Sequence, residues 1–367
     1  MNIAYRFRIY PTEEQKILLG KTFGCCRFLY NQMLNDKIQE YEKTKKMLKN
    51  TPAMYKREYP FLKEVDSLAL ANVQLHLEKA YKNFFRDPKI GFPKFKSKHH
   101  SRNSYTTNVV NGNILVESKR IRLPKLKWIA MKKHREPAKG LRLKSVTVSM
   151  EPSGKYFASL LYEGDSCENQ AAEPDYSTAK ILGIDYAMQG MAVFSEEIEM
   201  EEAGFFRKNE KRLVREQRKL SRCVRGSHNY ELQKKKVARC HEKIRNQRRD
   251  YLHKLSRKIA DGYDAVAVED IDMKAMGQCL HFGKSVHDNG YGMFREMLDY
   301  KLAWKGKKIV KVDRFFPSSK KCCQCGRIKK ELKLSERVYH CVCGNEMDRD
   351  RNAAINIREE ARRMLIA

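Results

Sequence analysis

The sequence lacks any long apolar run, so no segment of its 367 residues predicts a membrane-spanning helix. It also lacks a signal peptide, because the opening residues MNIAYRFRIY alternate as a strand does. The eleven cysteines do not suggest a disulfide scaffold, since four pair closely near the C-terminus and the others are scattered. These absences predict a soluble, intracellular protein in which clustered cysteines bind metal rather than form disulfides.

Acidic residues are scarce relative to basic ones. The sequence has 75 Lys and Arg against 45 Asp and Glu, which gives a formal net charge of +30. Self-repulsion of this size destabilises a compact chain unless a polyanion offsets it, so nucleic acid is the predicted partner. A membrane surface is the alternative. Hydrophobic content of 41% is enough for real cores, and the length predicts about two to four domains.

Three acidic residues that are far apart in the sequence lie at the ends of apolar segments. Asp185 ends the run KILGID, Glu269 ends AVAVE, and Asp350 lies in MDRDRNAAINI just before an apolar helix. A buried strand that finishes on a lone carboxylate must pair the charge, place it in a solvated cleft or bind a cation. Three such carboxylates brought together repel one another unless divalent metal neutralises them. A two-metal nuclease needs this arrangement.

The N-terminal part predicts a strand over residues 1–10 and then helices. Thr12 and Gln15 have capping-box spacing, and a second helix is expected at about 67–86. Further on, the segment GFPKFKSKHHSRNSY interleaves rings with cations, a combination typical of surfaces that grip exposed nucleic acid. A solvated basic loop is the alternative. The candidate contacts in this segment are Lys94, Lys96, Lys98 and Arg102.

Alternating strands around Pro152-Ser153-Gly154 predict a hairpin within a small β-barrel, into which the N-terminal strand could pair. Residues 205–258 then predict a long helical stretch, broken near Gly226, with 20 Lys and Arg against 5 Asp and Glu. Solvated helices ordinarily mix signs, so the excess favours a polyanion channel over plain solvation. The candidate contacts are Arg218, Lys219, Arg222, Arg245, Arg248 and Arg249.

Four cysteines near the C-terminus predict a metal site. Cys322 and Cys325 have two residues between them, Cys341 and Cys343 have one, and a glycine follows each pair. Two such knuckles can supply four thiolates to a tetrahedral Zn²⁺, although the second is shorter than usual. Free thiols are the alternative. A ribbon this small depends on its metal to fold, so the predicted role is structural.

Several strings occur in an order that resembles the TnpB family, transposon-encoded RNA-guided DNA endonucleases related to type V CRISPR effectors. They are YRFRIYPTEEQ, FGCCRFLYN, GFPKFKSK, QRKLSR, HEKIRNQRRDYLHKLS, VEDIDMKAM, FFPSSKKCCQCG and DRDRNAAINI. The resemblance runs nearly end to end. It implies an α+β multidomain fold: a wedge-type β-barrel with an inserted helical recognition domain, then an RNase H-like (RuvC) α/β domain with an inserted zinc ribbon.

On this resemblance the chain divides into seven segments. They are residues 1–10, the first strand of the wedge barrel; 11–90, the helical recognition domain; 91–163, the wedge barrel; 164–178, a linker; 179–316, the RuvC nuclease domain; 317–347, the zinc ribbon; and 348–367, the C-terminal part of RuvC.

The resemblance also implies the site. The motifs GID, VED and DxNAA place catalytic, Mg²⁺-binding carboxylates at Asp185, Glu269 and Asp350. Asp348 stays open as a ligand, because residues two apart on a strand face the same way. The family often has glycine where this chain has Ala187. The implied cofactors are two Mg²⁺ ions and a structural Zn²⁺.

The implied partners are a guide RNA made from the transposon end and double-stranded target DNA. The RNA pairs with the target strand while the protein reads a short flanking motif. The resemblance implies a bacterial or archaeal cytoplasmic location, associated with the nucleoid when bound to DNA. It implies no membrane and identifies no protein partner.

Two other functions compete with RNA-guided cleavage. Some relatives have lost catalytic carboxylates and act only as RNA-guided DNA-binding proteins, but all three carboxylates are retained here. RNase H-like folds also serve DNA-strand transfer, which would move the element itself and require no guide RNA.

Overall fold

The computed structural model describes residues 2–138, 140–164, 174–187, 191–199, 204–271, 290–333 and 335–367. The chain forms two compact units, Met1–Ser166 and Cys167–Ala367. Most of the predicted linker at 164–178 lies outside the described residues, as do the last residues of the VEDIDMKAM string, Cys167 and Cys279.

The first unit begins with a strand, continues with helices and ends with strands. Two short 3-10 turns, Pro60–Lys63 and Pro88–Ile90, join its helices to the following segments. The elements are β1 (Asn2–Tyr10), α1 (Glu13–Thr44), α2 (Pro52–Glu58), α3 (Ser67–Arg86), β2 (Asn103–Asn108), β3 (Leu115–Val116), β4 (Arg120–Leu123), β5 (Lys127–Lys132), β6 (Arg142–Met150) and β7 (Tyr156–Glu163).

Helix α1 starts where the sequence predicts. The Gln15 N–H donates to Thr12 Oγ1 at 3.3 Å, and the Thr12 N–H donates to Gln15 Oε1 at 3.0 Å, so the capping box is complete. One stripe of α1, which includes Leu19 and Met33, is fully buried. It packs in a single hydrophobic core with α3 and the strands.

The strands of the first unit form one seven-stranded antiparallel sheet in the order β2-β6-β7-β1-β5-β4-β3. The predicted hairpin is confirmed as β6–β7, and the N-terminal strand is confirmed inside the sheet, paired with β5 and β7. Among the described residues no pairing joins edge strands β2 and β3, so the structure describes an open hydrogen-bonded sheet.

The second unit contains a mixed sheet, basic helices and a small two-stranded ribbon. Its elements are β8 (Ile181–Ala187), β9 (Met191–Phe194), α4 (Phe205–Ser221), α5 (His228–Gly262), β10 (Ala265–Glu269), α6 (Tyr291–Ala303), β11 (Lys308–Val312), β12 (Val338–His340), β13 (Glu346–Asp348) and α7 (Arg349–Ile366).

The four-stranded sheet has the order β11-β10-β8-β9, with β8, β10 and β11 parallel and β9 antiparallel. Alternate side chains of β8 and β10 enter two different cores, one shared with α5 and α6 and the other with α7. Helices therefore cover both faces, which explains why AVAVE is apolar at successive positions. The parallel strands end at one edge, where the predicted carboxylates lie.

Candidate active site and metal centre

Strand pairing brings two of the predicted carboxylates together. In the parallel pair β8–β10, Ile184 lies opposite Val268, and the next residue on each strand is Asp185 or Glu269. Neighbouring strands are about 4.8 Å apart, so both carboxylates lie side by side at the same edge of the sheet. Asp185 is half-buried and paired with Val193 of β9, which places it in the interior of the sheet.

Helix α7 supplies the third carboxylate, because Asp350 lies in its first turn. The helix can approach β8 closely because position 183 is glycine. A Cβ atom there would lie 2.0 Å from the Ala354 carbonyl oxygen and 2.9 Å from Arg358 Cβ. Gly183 therefore sets the distance between strand and helix, and so positions Asp350 relative to Asp185.

Asp348 has a different role from Asp350. Asp348 and Asp350 do not share one face of a strand, because β13 ends at Asp348 and α7 begins at Arg349. Asp348 is the N-cap: its Oδ1 accepts hydrogen bonds from the backbone N–H groups of Asp350 and Arg351, each at 2.9 Å. These bonds fix the turn on which Asp350 lies.

The charges of Glu269 and Asp350 both act on Asp185. Burial, reinforced by the charges of Glu269 and then Asp350, raises the pKa of Asp185 to about 8. Burial also raises the pKa of Glu269. Carboxyl groups with raised pKa values in a shared site are a signature of function, because a bound cation would reverse the penalty.

Arginines and tyrosines surround this acidic site. The Arg349 guanidinium donates to Asp350 Oδ1 from Nη2 at 3.2 Å and Nε at 3.3 Å, and Arg337 Nη1 lies 4.0 Å from Oδ2. The Tyr291 ring, at the start of α6, meets the Tyr186 ring edge-on at 4.9 Å. Burial, followed by the Asp185 charge, raises the pKa of Tyr291. Sequence reasoning missed Tyr291 and Arg349, since nothing in one sequence separates them from ordinary core and surface residues.

The donor set fits hard divalent cations. All three groups are carboxylates, which Mg²⁺ prefers, and Asp185 carries its charge at neutral pH only against burial and two like charges. Pairing with Arg349 neutralises part of the Asp350 charge, but Asp185 and Glu269 keep their raised pKa values.

The four predicted cysteines form a compact cluster. The sulfurs of Cys322, Cys325, Cys341 and Cys343 all lie within 4.8 Å of one another. Two contacts are 3.7 Å (Cys322 to Cys343) and 3.6 Å (Cys325 to Cys341). Thiolates on tetrahedral zinc are about 3.8 Å apart, given Zn–S bonds of about 2.3 Å. The shortened second knuckle therefore reaches the position that zinc binding requires.

Local hydrogen bonds prepare the cluster for metal. Burial opposes ionisation of the Cys322 thiol, but backbone N–H groups of Cys325 and Gln324 and the Asn345 amide outweigh it and lower its pKa to about 6. Each knuckle ends on a glycine with positive φ, 74° at Gly326 and 89° at Gly344, a conformation that disfavours other residues. Cys323 is outside the cluster, with its sulfur 3.6 Å from Met347 Sδ.

Two buried asparagines of α7 connect the cysteine cluster to the acidic site. Asn352 accepts a hydrogen bond from the Cys323 N–H at 3.1 Å and donates to the Lys321 carbonyl at 2.7 Å. Asn356 donates to the carbonyls of Ser318 and Lys321. The first knuckle is therefore bonded to the helix that carries Asp350. The DRDRNAAINI string contains both asparagines, but nothing in the sequence alone indicates this role.

The structure places the predicted nucleic-acid contacts in different environments. Most are exposed: Lys94, Lys98, Arg102, Arg218, Lys219, Arg222, Arg245 and Arg249. Lys96 is half-buried with its ammonium 3.7 Å from the centre of the Tyr30 ring, and burial lowers its pKa. Arg248 is also half-buried, because its stem packs on Gly290 at the start of α6. All ten stay predictions.

Three family models match the chain. A model described as a probable transposase matches residues 160–279, and the TNB domain of Cas12f1-like proteins matches residues 291–357. A helix-turn-helix model matches residues 1–46, which here fold as a strand and one long helix. The first two matches contain all three predicted carboxylates and all four clustered cysteines.

Solved structures support the same class. The chain is similar to Cas12f1 in the cryo-EM structure of its complex with sgRNA and target DNA, with a TM-score of 0.59, 13% identity and 98% of each chain covered. At this identity the likeness concerns the fold, which is α+β and multidomain. The fold is therefore that of the TnpB-like and Cas12-like proteins.

Curated relatives identify the family. A protein of Streptomyces pristinaespiralis, provisionally named an RNA-guided DNA endonuclease, is 33% identical and covers 96% of this chain and 88% of its own length. InsQ of Escherichia coli K12, provisionally named in the same way, is 31% identical over 96% of this chain and 91% of its own. The chain belongs to the TnpB family. In the part of the chain that the structure describes, no helix is long and apolar enough to cross a membrane.

Proposed function

We propose that this protein is an RNA-guided DNA endonuclease of a transposable element, which cuts double-stranded target DNA beside a short flanking motif at a single RuvC centre. The observation that carries the proposal is that Glu269 and Asp350 lie close enough to Asp185 for their charges to add to the effect of burial, which together raise the pKa of Asp185 to about 8. The names of the full-length relatives support the guided activity.

Asp185, Glu269 and Asp350 would hold two Mg²⁺ ions. Magnesium supplies Lewis-acid stabilisation of the attacking and leaving oxygens of a phosphodiester. The chain supplies the positioning: β8 and β10 fix two carboxylates on a rigid sheet, and the Asp348 cap fixes the third. The Arg349 guanidinium, bonded to Asp350, would hold that carboxylate in place.

The four-cysteine cluster would hold structural Zn²⁺, in a ribbon spanning 317–347. The other proposed domains of the chain are the wedge barrel (1–10 and 91–163), the helical recognition domain (11–90), the linker (164–178) and the two parts of RuvC (179–316 and 348–367). The exposed cations of α4 and α5, such as Arg218 and Arg245, would line the channel for the guide RNA and its DNA partner.

The test is guided cleavage by the purified ribonucleoprotein. The protein is isolated with the RNA from its own locus, that RNA is sequenced, and a matching DNA target is offered with Mg²⁺. We expect double-strand cleavage by the wild type and none by Asp185→Asn, which keeps the size of the side chain but loses its charge. Recovery of no discrete RNA from the element's end would remove the guided function.

A binding protein that represses or competes without cutting is the second candidate. The observation that favours it is the arginine pairing of Asp350, which leaves less charge for a cation. Guided binding by both the wild type and Asp185→Asn, with cleavage by neither at any Mg²⁺ concentration, would establish it.

A further inference from the structure

Two adjacent phenylalanines after β11 have opposite environments. Phe316 is half-buried and packs against the core formed with α7, and the Lys321 ammonium lies 5.4 Å from the centre of its ring. Phe315 is 86% exposed, more than any other large apolar side chain in the described part of the chain. The core uses one ring and leaves the other to solvent.

Phe315 lies at the edge of the sheet that carries the carboxylates. In the parallel pair β10–β11, Glu269 is opposite Val312, and the Asp270 N–H donates to the Val312 carbonyl at 3.0 Å. Consecutive Cα atoms are 3.80 Å apart, so the Phe315 Cα is at most about 11 Å from that of Val312. Adding about 5 Å between strands places it within about 16 Å of the Glu269 Cα.

The loop holds this ring outward. Asp313 Oδ1 accepts a hydrogen bond from the Phe315 N–H at 2.7 Å, and the Asp313 carbonyl accepts one from the Phe316 N–H at 3.0 Å. At the other end of the loop, the Ser318 carbonyl accepts a hydrogen bond from the Asn356 amide at 2.8 Å. Both ends of the loop are therefore tied to the elements that build the acidic site.

Cations outnumber acids in the loop 313–321 that carries the ring. Arg314 and Lys320 are exposed, and Lys320 Nζ also donates to the Lys330 carbonyl at 3.2 Å. The one carboxylate of the loop, Asp313, accepts the hydrogen bond from the Phe315 N–H. An exposed ring among cations is typical of surfaces that bind single-stranded nucleic acid, where the ring stacks on a base and the cations face phosphates. A protein partner would bury a wider apolar surface than one ring, since Phe316 beside it is already packed in the core.

We propose that Phe315 is a stacking platform for one unpaired base of the DNA strand being cut, within a few nucleotides of the scissile phosphate. This inference rests on the proposed function. Phe315 is a positioning residue: it does not touch the reacting atoms, and it acts by holding the strand in register with the carboxylates.

The test compares Phe315→Ala, Phe315→Leu and Phe315→Trp with the control Trp304→Ala. Trp304 follows α6 and is 54% exposed, but it precedes β11 and so lies towards the opposite edge of the sheet. We expect Phe315→Ala to slow single-turnover guided cleavage about 10- to 100-fold, the loss that follows from removing one base–aromatic stack. The cleavage rate of Phe315→Leu should lie between those of Phe315→Ala and the wild type. Phe315→Trp and Trp304→Ala should cut at nearly the wild-type rate.

A direct measurement places the fluorescent base 2-aminopurine at successive positions of the target strands. Stacking of this base on an aromatic ring quenches its fluorescence. The measurement is made on complexes of Asp185→Asn, which bind DNA without cutting it. Quenching at one position that disappears in Asp185→Asn/Phe315→Ala supports the platform. Wild-type cleavage rates for Phe315→Ala, or quenching that persists without Phe315, would overturn it. If the proposed function itself is wrong, the wild type does not cut either, which distinguishes the two failures.

Discussion

The acidic site and the cysteine cluster of the second unit are assembled in different ways. The carboxylates come from three distant segments and meet because a buried sheet and a helix hold them together. The cysteines come from one short segment with little core of its own, where glycine turns and amide hydrogen bonds bring the sulfurs together. We therefore expect the acidic site to be formed by the fold alone and the cysteine cluster to depend on bound metal for its folding.

Each site also responds differently to the absence of cations. Burial raises the pKa of Asp185, so the acidic site relieves its repulsion by taking up a proton. Hydrogen bonds lower the pKa of Cys322, so one thiolate of the cysteine cluster forms readily. The backbone N–H of Asn345 favours ionisation of Cys343 too, but burial and the neighbouring cysteines outweigh it and raise the pKa of that thiol to about 12. On the proposed function, a divalent cation at the acidic site would relieve the repulsion between the carboxylates, and Zn²⁺ at the cysteine cluster would be structural. The predictions below test this contrast.

The largest expected effect is the loss of cleavage when Asp350 is replaced. Asp350→Asn should reduce guided cleavage by at least about 10³-fold, because it removes a charge from the set that would hold the metal ions. Asp348→Asn is the matched control: asparagine is also a good N-cap, so its cleavage rate should stay close to that of the wild type. Equal losses in the two variants would mean that Asp348 is also a ligand.

The next largest effect is local unfolding on zinc removal. A strong chelator should make residues 322–343 sensitive to protease while the four-stranded sheet stays protected, because the ribbon has little core of its own. Cys341→Ser should show the same pattern without a chelator. Cys323→Ser is the control, since its sulfur lies outside the cluster. Unchanged protease resistance after metal removal would contradict a metal-dependent ribbon.

The acidic site should make metal-free stability depend on pH. The pKa of Asp185 is raised from 3.8 to about 8, so the folded state holds a proton that the unfolded state releases above about pH 4. The contribution of Asp185 to the free energy of unfolding is therefore fully present below pH 4 and is lost as the pH rises towards 8. Asp185→Asn lacks the effect, so its Tm advantage over the wild type should widen between pH 5 and 8.

Mg²⁺ should reverse that advantage at pH 8, since it binds the wild-type site more tightly than the variant. Thermal unfolding with and without Mg²⁺ measures both effects. A difference in Tm that does not vary with pH would show that the Asp185 carboxyl does not carry this penalty.

The smallest expected effect is on the packing of α7 against β8. Gly183→Ala should destabilise the second unit by about 1–3 kcal/mol and reduce cleavage, because the new methyl group would overlap the Ala354 carbonyl. Gly262→Ala is the control at the end of α5, where a Cβ would meet nothing within 4 Å. Chemical denaturation measures both. If the two variants have the same free energy of unfolding, the packing of α7 against β8 does not require glycine at position 183.

The sequence predicted the parts of the sites that follow from strand endings and ligand spacing. Asp185 and Glu269 could be found because a carboxylate at the end of an apolar strand is costly, and the cysteines because paired thiols with glycine turns are typical of zinc knuckles. The β6–β7 hairpin and the capping box of α1 followed from local patterns and are confirmed.

Other features could not be predicted because they depend on tertiary contacts. The close approach of α7 makes Gly183 necessary, but a glycine before an apolar residue looks the same in any strand. The roles of Asn352 and Tyr291 depend on which distant groups they meet after folding. Asp348 was ambiguous because a strand and a helix meet there, and the side chain of the last strand residue became a cap.

The dependence of Asp350 on the packing of α7 has a consequence for biosynthesis. The ribosome makes the strands that carry Asp185 and Glu269 long before the helix that completes the trio, and folding proceeds as the chain emerges. The proposed function therefore predicts that a nascent or prematurely released polypeptide contains the basic helices α4 and α5 but lacks the third carboxylate that cleavage requires. The late position of Asp350 would keep unfinished copies from cutting DNA.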